Sequence, residues 1–292
     1  MAVFEFKAEV ALGAVPAIVD LLEEREEQNL MVIEDKPSDR AWLTGYYESE
    51  EAARAAWSHC AGLIDPVWLR TEPAINELPD QDWKESYKAH FKAWQIGRLH
   101  WVPVWEREAY RPPAGEEVLW LDPGMAFGTG NHETTRLVVE RLVAGAEKSG
   151  VTGRVIDAGC GSGILALSAA KLGFQRVAAF DNDSVAVDVS QENAELNGLG
   201  GRVEFYVGDL VTGLAGRQAE LVLANIQADV LMKFAPELLA AVAPRGVLVM
   251  SGILAKENAQ VRAVFAALRP DWTIDSRELG EWSDVVVMAP AC

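Results

Sequence analysis

The run Val155-Ile156-Asp157-Ala158-Gly159-Cys160-Gly161-Ser162-Gly163 sets three glycines at alternate positions directly after an apolar stretch. Glycine tolerates positive φ and carries no Cβ, so such a turn lets a ligand approach the backbone. A helix predicted over about Ile164 to Leu172 aims unsatisfied N–H groups at whatever rests on the turn. Asp181, eighteen residues beyond Gly163 at the end of a second apolar run, has the spacing of an acid that grips ribose hydroxyls. These residues predict a nucleoside site, with Gly159, Gly161, Gly163 and Asp181 as cofactor-binding residues.

Two nucleoside cofactors compete for it. The dinucleotide fingerprint is G-x-G-x-x-G with pyrophosphate on the helix N-terminus. Here the spacing is G-x-G-x-G, and Asp157 stands two residues before the first glycine. A carboxylate at that point repels a pyrophosphate and suits a ligand with an amino group and a sulfonium, which favours S-adenosylmethionine over NAD. The plain alternative, a tight turn without a ligand, is opposed by the strand before it, the helix after it and the acid at the right distance.

Ligands of open α/β sheets bind outside the carboxyl ends of the strands. The strands predicted over Arg154–Asp157, Arg176–Asp181, Val203–Val207 and Leu221–Asn225 each end in a useful residue. The third runs into Asp209, a candidate partner for an adenine amino group. The fourth delivers Asn225 beside the expected position of the transferred group, as a candidate catalytic and cofactor-contacting residue. Methyl transfer from a sulfonium is an in-line displacement that needs positioning more than acid–base chemistry. An amine nucleophile must be neutral, although a free lysine has a pKa near ~10.4, and burial beside a cation lowers it. His132 is a minor candidate base; a histidine in a loop is more often a hydrogen-bonded structural residue.

The elements that must position these residues follow from periodicity. From Arg154 onward strands alternate with helices, through Gly246–Ser251 and a helix over Ala255–Leu268, which specifies a parallel sheet covered by helices. A helix is expected over Ala228–Val242. Trp272–Arg277 and Asp284–Met288 read as an antiparallel pair at the sheet edge. The first eighty residues read as β-α-β-β-α-β, the split ferredoxin-like motif, with strands over Val3–Val10, Asn29–Glu34, Ala41–Glu48 and Val67–Glu72. Their helices are Ala14–Glu27 and Ser49–Cys60, the latter with Ser49 as N-cap. Trp57 and His59 read as packing residues. A polar break at Glu77–Asp82 and a tryptophan-rich stretch (Trp83, Trp94, Trp101, Trp105) suggest a connector, in preference to an aromatic recognition surface. Domains are therefore expected at 1–78 for substrate recognition, 79–106 as linker and 107–292 for catalysis.

Composition bounds the function. The 292 residues are 50% hydrophobic, enough for a substantial core. No apolar run approaches the ~20 residues that span a bilayer, and Glu5 and Glu9 fall where a signal peptide needs basic and apolar regions, so a cytoplasmic protein is expected. Cys60, Cys160 and Cys292 are widely spaced, which argues against a zinc site or a disulfide framework. A net charge of −18 weighs against a nucleic-acid surface and allows a basic protein partner. Residues 1–80 hold seventeen Asp plus Glu against six Lys plus Arg, a net of −11.

The segment Leu121-Asp122-Pro123-Gly124-Met125-Ala126-Phe127-Gly128-Thr129-Gly130, with His132 and Thr134-Thr135, resembles a loop characteristic of the bacterial methyltransferases of large-subunit ribosomal protein eleven. Asp157 through Leu165, Ala224-Asn225-Ile226 and Ser251-Gly252-Ile253-Leu254 are similar to that family as well. The resemblance covers about residues 80–290 by motif and the first domain by layout. It implies a small substrate-recognition domain, a swinging linker and a seven-stranded Rossmann-like catalytic domain. It also implies repeated methylation of lysine ε-amines and of an N-terminal α-amine, up to the trimethyl state. Carried over by motif, the cofactor residues are Thr135, Gly159, Asp181 and Asn225. The chain departs at Asn131, Glu133 and Ser184, which are loop and helix-entry positions. A monomer is expected, with no metal and no membrane. Open alternatives are a lysine methyltransferase of a different protein, a nicotinamide-dependent oxidoreductase and a non-catalytic binding module.

Overall fold

The computed structural model describes residues 3–24, 30–35, 40–78, 92–121 and 132–290. The chain divides into two compact units, 1–90 and 91–292. Trp83 and the Asp122–Asn131 segment lie outside the described residues.

The first unit contains β1 (Val3–Val10), α1 (Val15–Glu24), β2 (Leu30–Asp35), β3 (Arg40–Tyr47), α2 (Glu50–Ala61) and β4 (Ala74–Leu78). Its sheet has the order β2-β3-β1-β4 with every pair antiparallel, the ferredoxin-like arrangement expected. Strand alternation turns Phe6, Val10 and Leu43 to one face, where Ile18 and Leu22 of α1 and Cys60 of α2 cover them. Ser49 caps α2 by accepting the N–H of Ala52 at 3.1 Å. The last strand is displaced from the expected Val67–Glu72. Pro66 starts a 3-10 turn over Pro66–Trp68 that Asp65 caps through the N–H of Val67, and the strand forms only after Pro73. Proline fixes φ and removes a donor, which suits a turn and interrupts a ladder.

The second unit opens with β5 (Trp94–Ile96), β6 (Leu99–Pro103) and β7 (Glu117–Leu121), a small sheet of its own. Residues 94–106 therefore belong to this unit instead of forming a linker. Trp94 stacks on Trp101 at 4.1 Å, and Trp101, 1% exposed, donates its indole N–H to Ser168 Oγ at 2.8 Å. Burying the Trp101 ring beneath the half-buried Trp94 fixes this segment on the core in a way that local sequence does not reveal.

Then come α3 (Glu133–Ser149), β8 (Arg154–Ala158), α4 (Ile164–Leu172), β9 (Arg176–Asp181), α5 (Ser184–Leu196), β10 (Val203–Val207) and β11 (Ala219–Asn225). They are followed by α6 (Ala228–Lys233), α7 (Ala235–Ala240), β12 (Val242–Leu254), α8 (Asn258–Leu268), β13 (Thr273–Asp275), β14 (Glu278–Leu279) and β15 (Trp282–Met288). Among the described residues the main sheet runs β10-β9-β8-β11-β12-β15-β13, with β14 paired to β15. The strands from β10 through β12 are mutually parallel, while β15 is antiparallel to both β12 and β13. The expected C-terminal pair exists, but only β13 is at the edge; β15 inserts beside β12. Val285, Val286 and Val287 are all buried, which demands cover on both faces and hence an interior place in the sheet.

Alternate residues of each central strand serve two cores. Val155, Leu223, Val249 and Val286 pack with α3 and α4, while Ile156, Val222, Leu248 and Val287 pack with α6, α7 and α8. The single helix expected over Ala228–Val242 is two short ones, broken at Phe234 (φ −106°, ψ 22°). Pro236 is the reason: it has no N–H to donate to Met232, and its ring opposes that carbonyl. Leu223, fully buried between β8 and β12, tests the central packing. Leu223→Ala is expected to lower the unfolding free energy of the second unit by about 2–5 kcal/mol, read from a shifted urea midpoint at unchanged slope.

Candidate active site

The turn after β8 is tied to the end of β9. The N–H groups of Gly159 and Cys160 both donate to the Phe180 carbonyl, at 2.9 and 3.0 Å, and the N–H of Gly161 donates to Asp181 Oδ2 at 2.9 Å. Gly159, Gly161 and Gly163 all hold positive φ. At Gly159 and Gly163 space is short as well: a Cβ would fall 2.6 Å from Ile226 Cγ2 and 2.9 Å from Ser190 Oγ, respectively. Any side chain there would fill the cradle or push the neighbouring element away.

A cleft of about 800 Å³ opens along the carboxyl ends of the strands. In sheet order its floor passes from Asp209 after β10, to Asp181 on β9, Gly159 and Gly161 after β8, Asn225 on β11, Gly252 on β12 and Trp282 on β15. Adjacent strands are ~4.8 Å apart, so Asp181 and Asn225 stand on strands about 10 Å apart. The acidic end and the Trp282 end are thus distinct. Phe180 and Leu210, beside Asp181 and Asp209 in the chain, give the acidic end an apolar wall, and Val230 and Phe234 line the cleft as well. At the other end His132 meets Trp282 edge-to-face at 4.9 Å.

The sequence-predicted residues separate into two sets. Gly159, Gly161, Asp181, Asp209 and Asn225 line the cleft; Asp157, Gly163 and Thr135 stand behind it. Thr135 is buried, and its Oγ1 accepts a hydrogen bond from Asn225 Nδ2 at 3.3 Å. That contact takes one of the amide's two N–H donors and leaves Oδ1 as an acceptor. Gly163 serves close packing of α4 on Ser190 of α5. His132 caps α3: its Nδ1 accepts the N–H of Thr134.

Asp157 departs furthest from expectation. It is completely buried beneath the turn; Oδ2 accepts the N–H of Ala166 at 3.0 Å, and Oδ1 has no partner. Burial drives its carboxyl up to about 7, with Asp181 adding to the rise and the Ala166 N–H opposing it. It is therefore not a fixed anion at neutral pH, and its unsatisfied oxygen is a reserve of charge that a nearby cation would draw out. Burial also pushes the Cys160 thiol up, which leaves it an inert packing group. Asp209 is held below the usual carboxylate range by N–H and hydroxyl donors of Thr212. These bonds fall on Oδ1, so Asp209 enters the cleft ionised and oriented.

Several lining residues carry no signal in the linear sequence. Phe234, Val230 and Trp282 read as ordinary core positions, and only the sheet order brings them together. Gly252 had a faint one: with φ +83° and a prospective Cβ 2.3 Å from the Ile226 carbonyl, it lets β12 pass against the segment after Asn225. A second crevice, of about 410 Å³, lies at the opposite ends of β8, β9 and β10. Its Arg154 pairs with Glu220 at 3.2 Å and its Arg217 with Glu204 at 2.8 Å, while Arg176 donates to the Thr152 carbonyl at 3.1 Å. Among the described residues no group of three or more His, Cys, Asp or Glu is arranged to hold a metal, and no helix is long and apolar enough to cross a membrane.

An S-adenosyl group fits these residues: a glycine cradle, an acid at the ribose distance, an apolar wall for a base and an unsatisfied buried carboxylate oxygen below. Comparison with known proteins agrees. Residues 8–289 match the family described as ribosomal protein L11 methyltransferase (PrmA). The chain is 44% identical over 254 residues to the ribosomal protein L11 methyltransferase of Pelobacter propionicus, covering 84% of this chain and 80% of that one. It is 43% identical over 220 residues to that of Geobacter metallireducens, covering 74% and 69%. Among solved structures, the ribosomal protein L11 methylase of Lactobacillus delbrueckii superposes with a TM-score of 0.59 at 31% identity, over 68% of this chain and 98% of that one. The chain belongs to the ribosomal protein L11 methyltransferase family.

Proposed function

We propose that this chain transfers methyl groups from S-adenosylmethionine to lysine ε-amines, and to the N-terminal α-amine, of large-subunit ribosomal protein L11. The observation that carries this reading is the order of groups along the strand ends, from the acid pair Asp181 and Asp209, through the glycine turn, to Asn225. Asp181 would take the ribose hydroxyls on the lone pairs its backbone contacts leave free, and Asp209 the adenine amino group through Oδ2. Gly159 and Gly161 allow close approach over the turn, while Asp157 supports from below, ionising when a positive charge lies above it. Thr135 acts through Asn225.

S-adenosylmethionine supplies, when bound, an electrophilic methyl group on a positively charged sulfur. Asn225 Oδ1 would accept an N–H of the incoming amine and turn its lone pair toward that methyl. Desolvation between Trp282, His132 and Ile226 favours the neutral amine. The new N–C bond forms as the S–C bond breaks, and the amine must lose a proton to solvent before a further round. Such positioning can supply several powers of ten in rate.

The acidic first unit, taken as residues 1–78, is the proposed reader of a basic protein substrate, and net charge of −11 over residues 1–80 suits electrostatic steering. The cleft draws its lining from the second unit of one chain, so a monomer suffices for the chemistry. We place the enzyme in the cytoplasm, without a direct nucleic-acid contact.

Mass spectrometry of L11 incubated with the enzyme and S-adenosylmethionine tests this reading. Methyl additions on L11 are expected, and modification of other ribosomal proteins in its place would assign a different substrate. Asn225→Ala is expected to slow transfer by about 100-fold with donor binding largely kept. Asp181→Ala is expected to weaken donor binding by about 10-fold or more, measured by calorimetry. The burial of Asp157 yields a pH prediction. Its folded value, about 7, exceeds the ordinary 3.8, so its stabilising contribution is full below about 4 and is lost as pH rises toward 7. Asp157→Asn should remove that slope, about 3 kcal/mol between denaturation curves at pH 4.5 and pH 7.5. Parallel curves for the two proteins would show that Asp157 is ionised throughout.

A further inference from the structure

Asp284 is fully buried on β15, two residues beyond Trp282, and touches no part of the cleft. Its carboxylate accepts Nε and Nη2 of Arg141 on α3, at 2.8 and 3.1 Å, a bidentate pair. It also accepts the backbone N–H of Arg277 at 2.7 Å, and Arg277 Nη2 at 3.3 Å. Arg277 continues to α3, donating Nη2 to the Leu137 carbonyl and Nη1 to Glu140 Oε2, both at 3.3 Å. Arg141 spends its remaining nitrogen on Asp275 Oδ2 at 2.6 Å. One buried anion thus joins a helix to both ends of the β14–β15 hairpin.

What this junction holds is the Trp282 end of the cleft. Arg141 lies seven residues beyond Thr134, two turns along the same helix face, or about 10 Å. The first turn of α3 presents His132 and Thr134 to the cleft, and Thr135 to Asn225. The hairpin presents Trp282, and its turn at Gly280 (φ +62°) closes on Glu133, with a prospective Cβ 3.7 Å from Glu133 Cγ. Helix and hairpin meet above the site through the His132–Trp282 ring contact, and below it through Asp284.

We propose that Asp284 is a positioning residue for methyl transfer: through Arg141 and Arg277 it fixes the first turn of α3 against the Trp282 hairpin and so sets the spacing of the amine-accepting end of the cleft. This rests on the methyl-transfer reading above. Donor-binding groups lie on β8, β9 and β10, two or more strands away from β15, so the positioning acts on the rate of transfer and spares donor affinity.

The test compares Asp284→Asn and Arg277→Lys with wild type. The Arg277 side chain is 40% exposed, so that variant is expected to fold. Three readouts are taken: kcat, the affinity for S-adenosylhomocysteine by calorimetry, and amide hydrogen exchange over residues 133–137 and 278–284. Arg277→Lys should lose about 10-fold in kcat, and Asp284→Asn about 100-fold. Both should bind S-adenosylhomocysteine within about twofold of wild type, since the change amounts to a spacing error away from the donor. Exchange should quicken in both segments together. Arg154→Ala, which breaks an exposed pair at the strand ends opposite the cleft, should leave kcat unchanged. Unchanged kcat in Arg277→Lys would overturn the proposal, as would a fall in kcat matched by an equal fall in affinity. Should Asp284→Asn not fold, Arg277→Lys decides alone. If wild type binds no S-adenosylhomocysteine, the methyl-transfer reading fails, and the exchange data still judge the coupling of helix to hairpin.

Discussion

The carbonyl of Phe180 accepts two backbone N–H groups from the turn after β8, and Asp181 accepts a third. This seam between neighbouring strand tips fixes where the cleft begins. It works only because the turn residues lack Cβ atoms where Ile226 and Ser190 press in. The parallel order of β10, β9, β8 and β11 then lays out Asp209, Asp181, the glycines and Asn225 as a single row. The two-faced burial of β8 and β11 supplies the rigidity, since a shift of either strand tip would disturb both cores.

Electrostatics in this row differ from a simple anionic pocket. The half-buried Asp181 and the exposed Asp209 are oriented by backbone N–H groups, whereas burial raises the carboxyl of Asp157 to about 7. A buried carboxyl with one unsatisfied oxygen is an unfavourable arrangement. In the proposed reading, positive charge over the turn would offset that cost. Deep charges elsewhere are treated differently: Asp284 is surrounded by two guanidinium groups and leaves no oxygen free.

The parts of the site that were readable in the sequence are those whose chemistry is local. Three alternating glycines, an acid at the tip of the next strand and an asparagine after an apolar run each announce a backbone geometry or a polar group that the core would otherwise reject. Ser49 as a helix cap is of the same kind. What escaped reading depends on contacts far apart in the chain. Trp101 is a core residue because Trp94 and Ser168 reach it, and nothing around position 101 says so. Trp282 joins the cleft because β15 inserts beside β12, which follows from three consecutive buried valines only when their neighbours are known. Asp157 was expected among the cofactor contacts, but strand geometry sends it under the turn, away from the lining. Thr135 similarly works at one remove. Two local signals were also misread: Pro66 opens a turn where a strand was expected, and Pro236 breaks a helix that hydrophobic periodicity would have continued.

The most direct test of the central claim is a crystal structure of the protein with S-adenosylhomocysteine. The expected result places the ribose on Asp181, the adenine between Asp209 and Phe234, and the sulfur facing Asn225. A ligand bound elsewhere, or with its sulfur turned from Asn225, would contradict the assignment of this row of strand tips as the methyl-transfer site.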